Sequence, residues 1–524
     1  PLKEFWIFSA FCGLPISSIL SGDEINFRGT HERIGCSNQE LAMIRIQSIL
    51  SLLAGLATLL MVPSTLLAGG MEFPGNGAQA TARGGAFAAK ADDLSALAHN
   101  PGGIAKLKGN HFFYSHSLDW MQLSFTRQKK NFEPSEKDLT YGDPFETVSN
   151  ETAFFPLGIM VGASSDFGSE NWTFAAGVYG PNAHGKLTFP VEGGQRYMLT
   201  ELESMMVYYT LAAAYSDGEN YGIGATFQWV DMPVTKMSLV VDGTNGSPLS
   251  PYYSAPDVLS TLELEDRMSF TGALGAWWKM SPQWEIAASV RAPVTIQSKG
   301  DITLSNIPGH TDFPQQNLDL TDSSAAMDIP LPLIARGGLR YISYEEGEEI
   351  FDIELNVVYE SWSMMERYKL DLEGQVNLYA ATEVPDVIID KKWRDTVSIR
   401  LGGSHKITKN TAISLGGFVE NGAVPKNYAH VDFPSFNRLG LSGGINVEFG
   451  AFTLNLAYSH IFQEDQEVDE DYAKVFQQRP VSPCEPNSGE ISCGGQTGLS
   501  GIPINAGSYS SSIDIVALSA QAKF

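Results

Sequence analysis

The feature that most constrains this chain is a two-residue alternation that recurs from about Asn110 to the last residue. It runs in segments of 8 to 12 residues separated by Asp/Asn/Gly/Pro/Ser clusters. In Phe351–Glu360 one face reads Phe, Ile, Leu, Val, Tyr and the other Asp, Glu, Asn, Val, Glu. Thr396–Gly403 and Leu333–Tyr341 repeat the pattern, with Arg400, Arg336 and Arg340 on the polar faces. A soluble sandwich would bury the apolar face and hydrate the charges. A membrane barrel would do the reverse, with lipid outside and charges in the lumen. The barrel is favoured by aromatics at segment ends (Trp229, Trp277, Trp278, Trp284, Trp362, Trp393, Tyr341). It is favoured also by a last segment, Val516–Phe524, with apolar or small residues at alternate positions back from a terminal Phe.

Composition removes other classes. With 34 Lys+Arg against 60 Asp+Glu, a net charge of −26, the chain is no candidate for phosphate-backbone binding, so no nucleic-acid partner is expected. A hydrophobic content of 43% excludes wholesale disorder. Only Ser48–Val62 approaches the length of a membrane helix, which excludes a multi-helix membrane protein.

That run follows Met43-Ile44-Arg45 and precedes Leu66-Leu67-Ala68-Gly69, the order of a secretory signal peptide over 43–68; a membrane anchor is the alternative. Residues 1–42 match no folded unit and read as an over-extended start. Cys484 and Cys493 lie nine apart in a loop-like stretch, where an oxidising compartment would let them form a disulfide. The acidic run Glu464–Asp471 lacks an EF-hand pattern and reads as a solvated loop, and no metal site is expected.

Between Gly69 and Gly109 the pattern changes to small residues, too few to form a domain but able to pack inside a larger one. Gly70-Met71-Glu72-Phe73, then Gly84–Asp93, then Asn100-Pro101-Gly102-Gly103-Ile104-Ala105, resembles the N-terminal hatch of the FadL/TodX-type outer-membrane transporters. Those proteins carry Asn-Pro-Ala after an acidic Ala-Asp-Asp, so Gly102 is a departure. Leu199–Met205, Trp393–Gly403 and Arg438–Gly444 resemble later blocks of the same family. The resemblance implies an all-β fold: a 14-stranded antiparallel transmembrane β-barrel over 110–524 with long extracellular loops, plugged by a small helical hatch over 69–109. It implies a monomer in the bacterial outer membrane that carries long-chain fatty acids or other hydrophobic molecules. Phe524 resembles the terminal signal read by the barrel assembly machinery. About 30 residues are available per strand and connection, ample for tilted spanning strands of ~10 residues.

A water-filled pore does not help an apolar solute, since each re-exposed CH₂ costs ~0.8 kcal/mol. Family members are similar in using a hatch-gated pocket and a side opening at a kinked third strand. Here the third strand, Trp172–Tyr179, runs into Gly180-Pro181-Asn182-Ala183-His184-Gly185, where Pro and Gly should interrupt pairing. An opening in the wall and an ordinary turn between two short strands both fit. The candidate substrate contacts are Phe73, Arg291, Arg336, Arg340 and Arg400, because Arg can hold a carboxylate bidentately. The same arginines would equally build a lumenal salt-bridge network. Apolar residues between Met232 and Arg267 suggest either a capture surface or self-packed loops. No nucleotide loop, zinc spacing or nucleophile elbow appears, so neither enzyme activity nor a cofactor is expected. The rivals are a passive porin for polar solutes, with a hatchless aqueous lumen, and a non-transporting adhesin or receptor.

Overall fold

The computed structural model describes residues 73, 75–128, 145–181, 183, 185–241, 257–307, 318–377, 381–478 and 499–524. The expected signal peptide and the extension before it, the first residues of the expected hatch, the Cys484–Cys493 pair and Asn182 lie outside the described residues.

Fourteen strands close an antiparallel barrel. They are β1 Asn110–Arg127, β2 Phe154–Ser165, β3 Trp172–Tyr179, β4 Glu201–Ser216, β5 Tyr221–Val241, β6 Val258–Ser281 and β7 Trp284–Arg291. The second half comprises β8 Ile334–Glu345, β9 Glu348–Glu360, β10 Thr396–Thr408, β11 Thr411–Glu420, β12 Arg438–Phe449, β13 Phe452–Gln463 and β14 Gly507–Lys523. Each pairs with its neighbours in sequence, and β14 closes on β1 from His111↔Lys523 to Arg127↔Gly507. Closure removes the free edges that hydrocarbon would not tolerate.

Side-chain polarity settles which way the alternation faces. On β9, Asp352, Glu354 and Asn356 are buried inside, while Leu355, Val357 and Tyr359 are exposed outside. Charges inside and apolar groups outside are what lipid demands and a soluble sandwich forbids. Exposed aromatics collect towards both rims: Trp172, Tyr221, Trp278 and Trp284 beside the short turns, and the stacked pairs Tyr209–Trp229 (4.7 Å) and Phe227–Phe270 (5.6 Å) farther up. The short connections 217–220, 282–283, 346–347, 409–410 and 450–451 share one rim with Asn110 and Phe524, whose backbones bond to each other. The long connections share the other rim.

The wall continues farther on that side than alternation alone suggested. The described residues of Met232–Arg267, read from sequence as loop, are almost all strand: β5 and β6 stay paired out to Val241↔Val258. The apolar residues Met232, Met237, Leu239, Val240, Leu262 and Leu264 are buried. The Asp/Lys/Glu residues between them had masked the register. Likewise Val294–Asn306 prolongs β7, and Thr321–Leu331 leads into β8, each past a proline (Pro293, Pro332) that breaks the ladder.

The lumen holds residues 75–109. A short helix α1, Ala78–Ala82, a second, α2, Ala96–His99, and a 3₁₀ segment, Pro101–Lys106, carry the small side chains foreseen for a plug. The plug seats on glycines of the wall. A side chain at Gly416 would strike the carbonyl of Arg83, and one at Gly275 the side chain of Asn100. Gly416→Leu is therefore expected to unseat the plug, costing about 1–3 kcal/mol through overpacking. Gly337→Leu, where nothing lies within 4 Å, should not. Protease cleavage within 78–106 of folded barrels checks this: cleavage should appear for Gly416→Leu only.

Candidate functional site

Three features of the interior bear on function: the bolts that hold the plug, an arginine-lined chamber above it, and an interruption of the wall beside both.

The bolts are charged and dry. Arg83, fully buried, donates to both oxygens of Asp352 (3.0 and 2.7 Å) and to Ser404 Oγ (2.7 Å). Glu354 accepts from the backbone N–H of Ala89 (2.7 Å) and Lys90 (3.0 Å), and Asn356 Oδ1 from those of Phe87 and Ala88. Lys106 pairs with Glu285, which Arg340 also approaches. Arg340 bonds Asp352 at 2.9 Å and Glu349 as well, so this expected substrate contact sits in the bolt network. Asn100, Pro101 and Gly102 form the turn that keys the plug to β6. Asn100 Nδ2 donates to Ala88 O (2.8 Å) and Ala276 O (3.1 Å), its Oδ1 accepts from Gly102 N (3.0 Å), and Trp277 Nε1 donates to Gly102 O (3.0 Å). A Cβ at residue 102 would lie 2.9 Å from the Ala276 backbone, so this wall accommodates Gly closely.

The other four expected contacts meet in one place. Phe73, Arg291, Arg336 and Arg400 line a single small cavity of about 20 Å³, together with Glu360, His99, Tyr179 and Tyr208. Arg400 bonds Glu420 at 3.2 Å, and Arg438 lies over the Phe73 ring at 5.2 Å. Burial drives the His99 imidazole down to about 3, helped by the charges of Arg336 and Arg400. The ring is neutral, and its Nε2 lies 2.8 Å from Asn76 O, placed to donate. The chamber has room for about one water molecule, and Phe73, Gly75 and Asn76 of the plug's first strip help to line it.

The wall interruption adjoins this chamber. β2 pairs with β3 only from Met160↔Tyr179 to Ser165↔Phe174. β3 leaves β4 after Tyr179↔Tyr208, and the chain pairs with β4 again at Lys186↔Glu203. Between them Ala183 N turns back onto Pro181 O (3.0 Å). Phe154–Ile159 has β1 on one side and, among the described residues, no ladder partner on the other. Pro156 and Pro181 flank the interruption and bring no N–H that would need one. Here lies a cavity of about 330 Å³. Its lining includes the outward residues Ile159, Val178 and Met205 and the inward residues Tyr208, Leu331 and Trp362. Gly180 and Pro181 line it too, and Pro181 lines the arginine chamber as well. Sequence reasoning missed Pro156 and Tyr208, and it read Trp362 as an interfacial aromatic, whereas the ring is buried inside the barrel. A proline inside the β2 alternation was the available signal for the first.

Above the chamber the outer half of the barrel is packed with apolar side chains, among them Phe73, Met198, Met237, Leu262, Trp362 and Tyr509. The outer connections lock over this core. Lys391 bonds Asp432 at 2.5 Å, and Asn505 Nδ2 donates to Asn427 O and Ala429 O (3.1 Å each). His430 and Lys391 hold the Asp432 carboxyl well below the usual carboxylate range, against the opposing effect of burial.

Residues 59–487 match the family described as outer membrane protein transport protein (OMPP1/FadL/TodX). A long-chain fatty acid transport protein of Escherichia coli O6:H1 is 22% identical over 310 residues, 55% of this chain and 62% of that protein. The chain thus spans under two thirds of that relative's length. A Pseudomonas aeruginosa FadL homologue is similar in structure with a TM-score of 0.65 at 16% identity, covering 87% of this chain and all of that one. The Pseudomonas putida toluene transporter TodX gives 0.59 at 12%, covering 86% and 99%. The Ralstonia pickettii toluene transporter TbuX gives 0.56 at 13%, with the same coverage. At such identities the likeness establishes the fold.

Two outcomes follow from the bolts. Asp352→Asn removes the nearer of the two carboxylates that pair with the buried Arg83, leaving Glu354 at 3.4 Å, and should destabilise the seated plug by about 1.5–3 kcal/mol, read as earlier protease cleavage within 78–106 in a denaturant series. Burial pushes the Asp93 carboxyl up to about 6. The seated plug therefore favours its protonated form, a stability present below about pH 4 and lost as pH rises through about 6. Protease resistance of the wild-type plug should fall across that window relative to Asp93→Asn, whose slope should be flatter.

Proposed function

Since this chain belongs to the OMPP1/FadL/TodX family of outer-membrane transport proteins, we propose that it moves long-chain fatty acids across the outer membrane and releases them sideways through the interruption between β2 and β3. The observation that carries the reading is the cavity that joins lipid-facing and lumen-facing side chains at that interruption. A 16-carbon chain re-exposed to water would face on the order of 10 kcal/mol. A route that stays apolar from the outer core to the bilayer avoids that barrier.

Three roles follow. The packed outer core takes the cargo from the outside. The chamber lined by Arg291, Arg336 and Arg400 holds its carboxylate, by charge-assisted hydrogen bonds worth about twice neutral ones. Phe73, Gly75 and Asn76, which line the chamber, must withdraw to admit the head group, so the plug gates the site. The helical part of the plug, bolted by Arg83, Glu354 and Lys106, stays in place and bars an open aqueous pore. Fatty acids fit better than aromatic hydrocarbons, because a carboxylate takes charge-assisted, bidentate hydrogen bonds from guanidinium groups, whereas toluene offers them only its ring face. A monomer inserted through its C-terminal strand by the assembly machinery suffices for this route.

Uptake of labelled oleate and toluene by cells with and without the protein tests the reading. Gly185→Leu, whose Cβ falls 2.7 Å from both the Phe155 ring and Ser204 O, should obstruct the interruption. It should slow oleate uptake by about tenfold, the effect of a barrier ~1.4 kcal/mol higher. Arg336→Met should lower oleate uptake and leave toluene uptake unchanged. Equal oleate uptake by the deletion strain and its parent would remove the reading.

A further inference from the structure

The arginine chamber and the wall cavity are separate spaces, yet Asn76, Tyr179, Pro181 and Tyr208 line both. What stands between them is a single layer of side chains. Its substance is a pair of rings, Tyr179 on β3 and Tyr208 on β4, with centroids 5.5 Å apart. Both are almost fully buried, and they face each other across the last ladder rung before the interruption.

We propose that Tyr179 and Tyr208 form an internal partition that selects which cargo passes from the arginine chamber to the wall cavity, and that the seated plug holds this partition shut. The inference rests on the transport reading above and assigns its specificity to two uncharged residues on the wall of the charged site. Each ring is held from a different side. Tyr179 Oη donates to Leu97 O in α2 (3.2 Å) and accepts from Gln228 Nε2 (2.6 Å). Tyr208 lies under the Arg291 guanidinium, 5.7 Å from its ring centre. The Leu97 side chain fills a notch in β3, where a Cβ on Gly177 would come within 2.7 Å of it. The seated α2 therefore holds the Tyr179 tether and fills the notch together. A carboxylate that draws Arg291 towards itself takes the cation off the Tyr208 face. Occupation of the chamber and the seated plug thus act on the same two rings, the first loosening Tyr208 and the second holding Tyr179.

A partition of two rings passes a slender chain more readily than a broad one. Three variants test it in cells that lack other fatty-acid transporters: Tyr208→Ala, which removes a ring; Tyr208→Trp, which enlarges it; and Tyr179→Phe, which keeps the ring and removes the tether to Leu97. Uptake of oleate and of 1-pyrenebutyrate, a broad fused-ring acid, is measured for each, with heat-modifiable migration in gels as the check that the barrel is folded. Tyr208→Ala should raise the pyrenebutyrate-to-oleate ratio about tenfold, the selectivity that one pocket contact commonly sets. Tyr208→Trp should lower uptake of both acids, and Tyr179→Phe should speed oleate uptake. Folded variants with the wild-type ratio and wild-type rates would overturn the partition alone. Failure of the wild-type protein to take up oleate above empty-vector cells would overturn the transport reading instead.

Discussion

In hydrocarbon every backbone N–H and C=O must find its partner within the protein, and this constraint shapes the whole molecule. Fourteen strands meet it by closing β14 onto β1 over seventeen successive residue pairs. Against that background the gap after Tyr179↔Tyr208 stands out. Two prolines, Pro156 and Pro181, reduce the number of donors exposed there, and Ala183 turns inward on Pro181. The ladder is interrupted, among the described residues, beside a cavity lined by both outward and inward side chains.

A barrel this wide cannot fill its lumen with wall side chains alone. Residues 75–109 fill it, and they are attached in more than one way. From Ala78 to Lys106 the plug is keyed to wall glycines and held by buried charges, Arg83 to Asp352 above all. Breaking such a pair leaves a buried charge without compensation. Phe73, Gly75 and Asn76 are held without ion pairs of their own, by the stacking of Arg438 on Phe73, the hydroxyls of Thr81 and Ser117 donating to Gly75 O, and the bond from His99 to Asn76. These three residues help to line the arginine chamber.

Much of this was legible in the sequence. Alternation fixed strand polarity, as in Phe351–Glu360, and the small-residue stretch with Asn100-Pro101 marked the plug. The Gly180-Pro181 break was visible because both residues disfavour a ladder. The length of β5 and β6 was not, because Lys236, Glu263 and Glu265 among apolar residues look like loop until the register Lys236↔Glu263 is known. The arginines could be named but not sorted. Only the three-dimensional register shows that Arg340 joins Asp352 and Glu349, whereas Arg291, Arg336 and Arg400 converge from β7, β8 and β10. Tyr208 carried no signal at all, since an inward tyrosine on one strand gains meaning only from its neighbour on the next.

The most direct measurement of the central claim is to find where cargo touches the protein in transit. A palmitate analogue bearing a photoreactive diazirine near its methyl end, irradiated during uptake and mapped by peptide mass spectrometry, reports this. The account predicts adducts on Ile159, Val178 and Met205 at the interruption. Adducts confined to the polar cavity beneath the plug, at Gln79, Lys409 or Glu448, with none at the interruption, would contradict it.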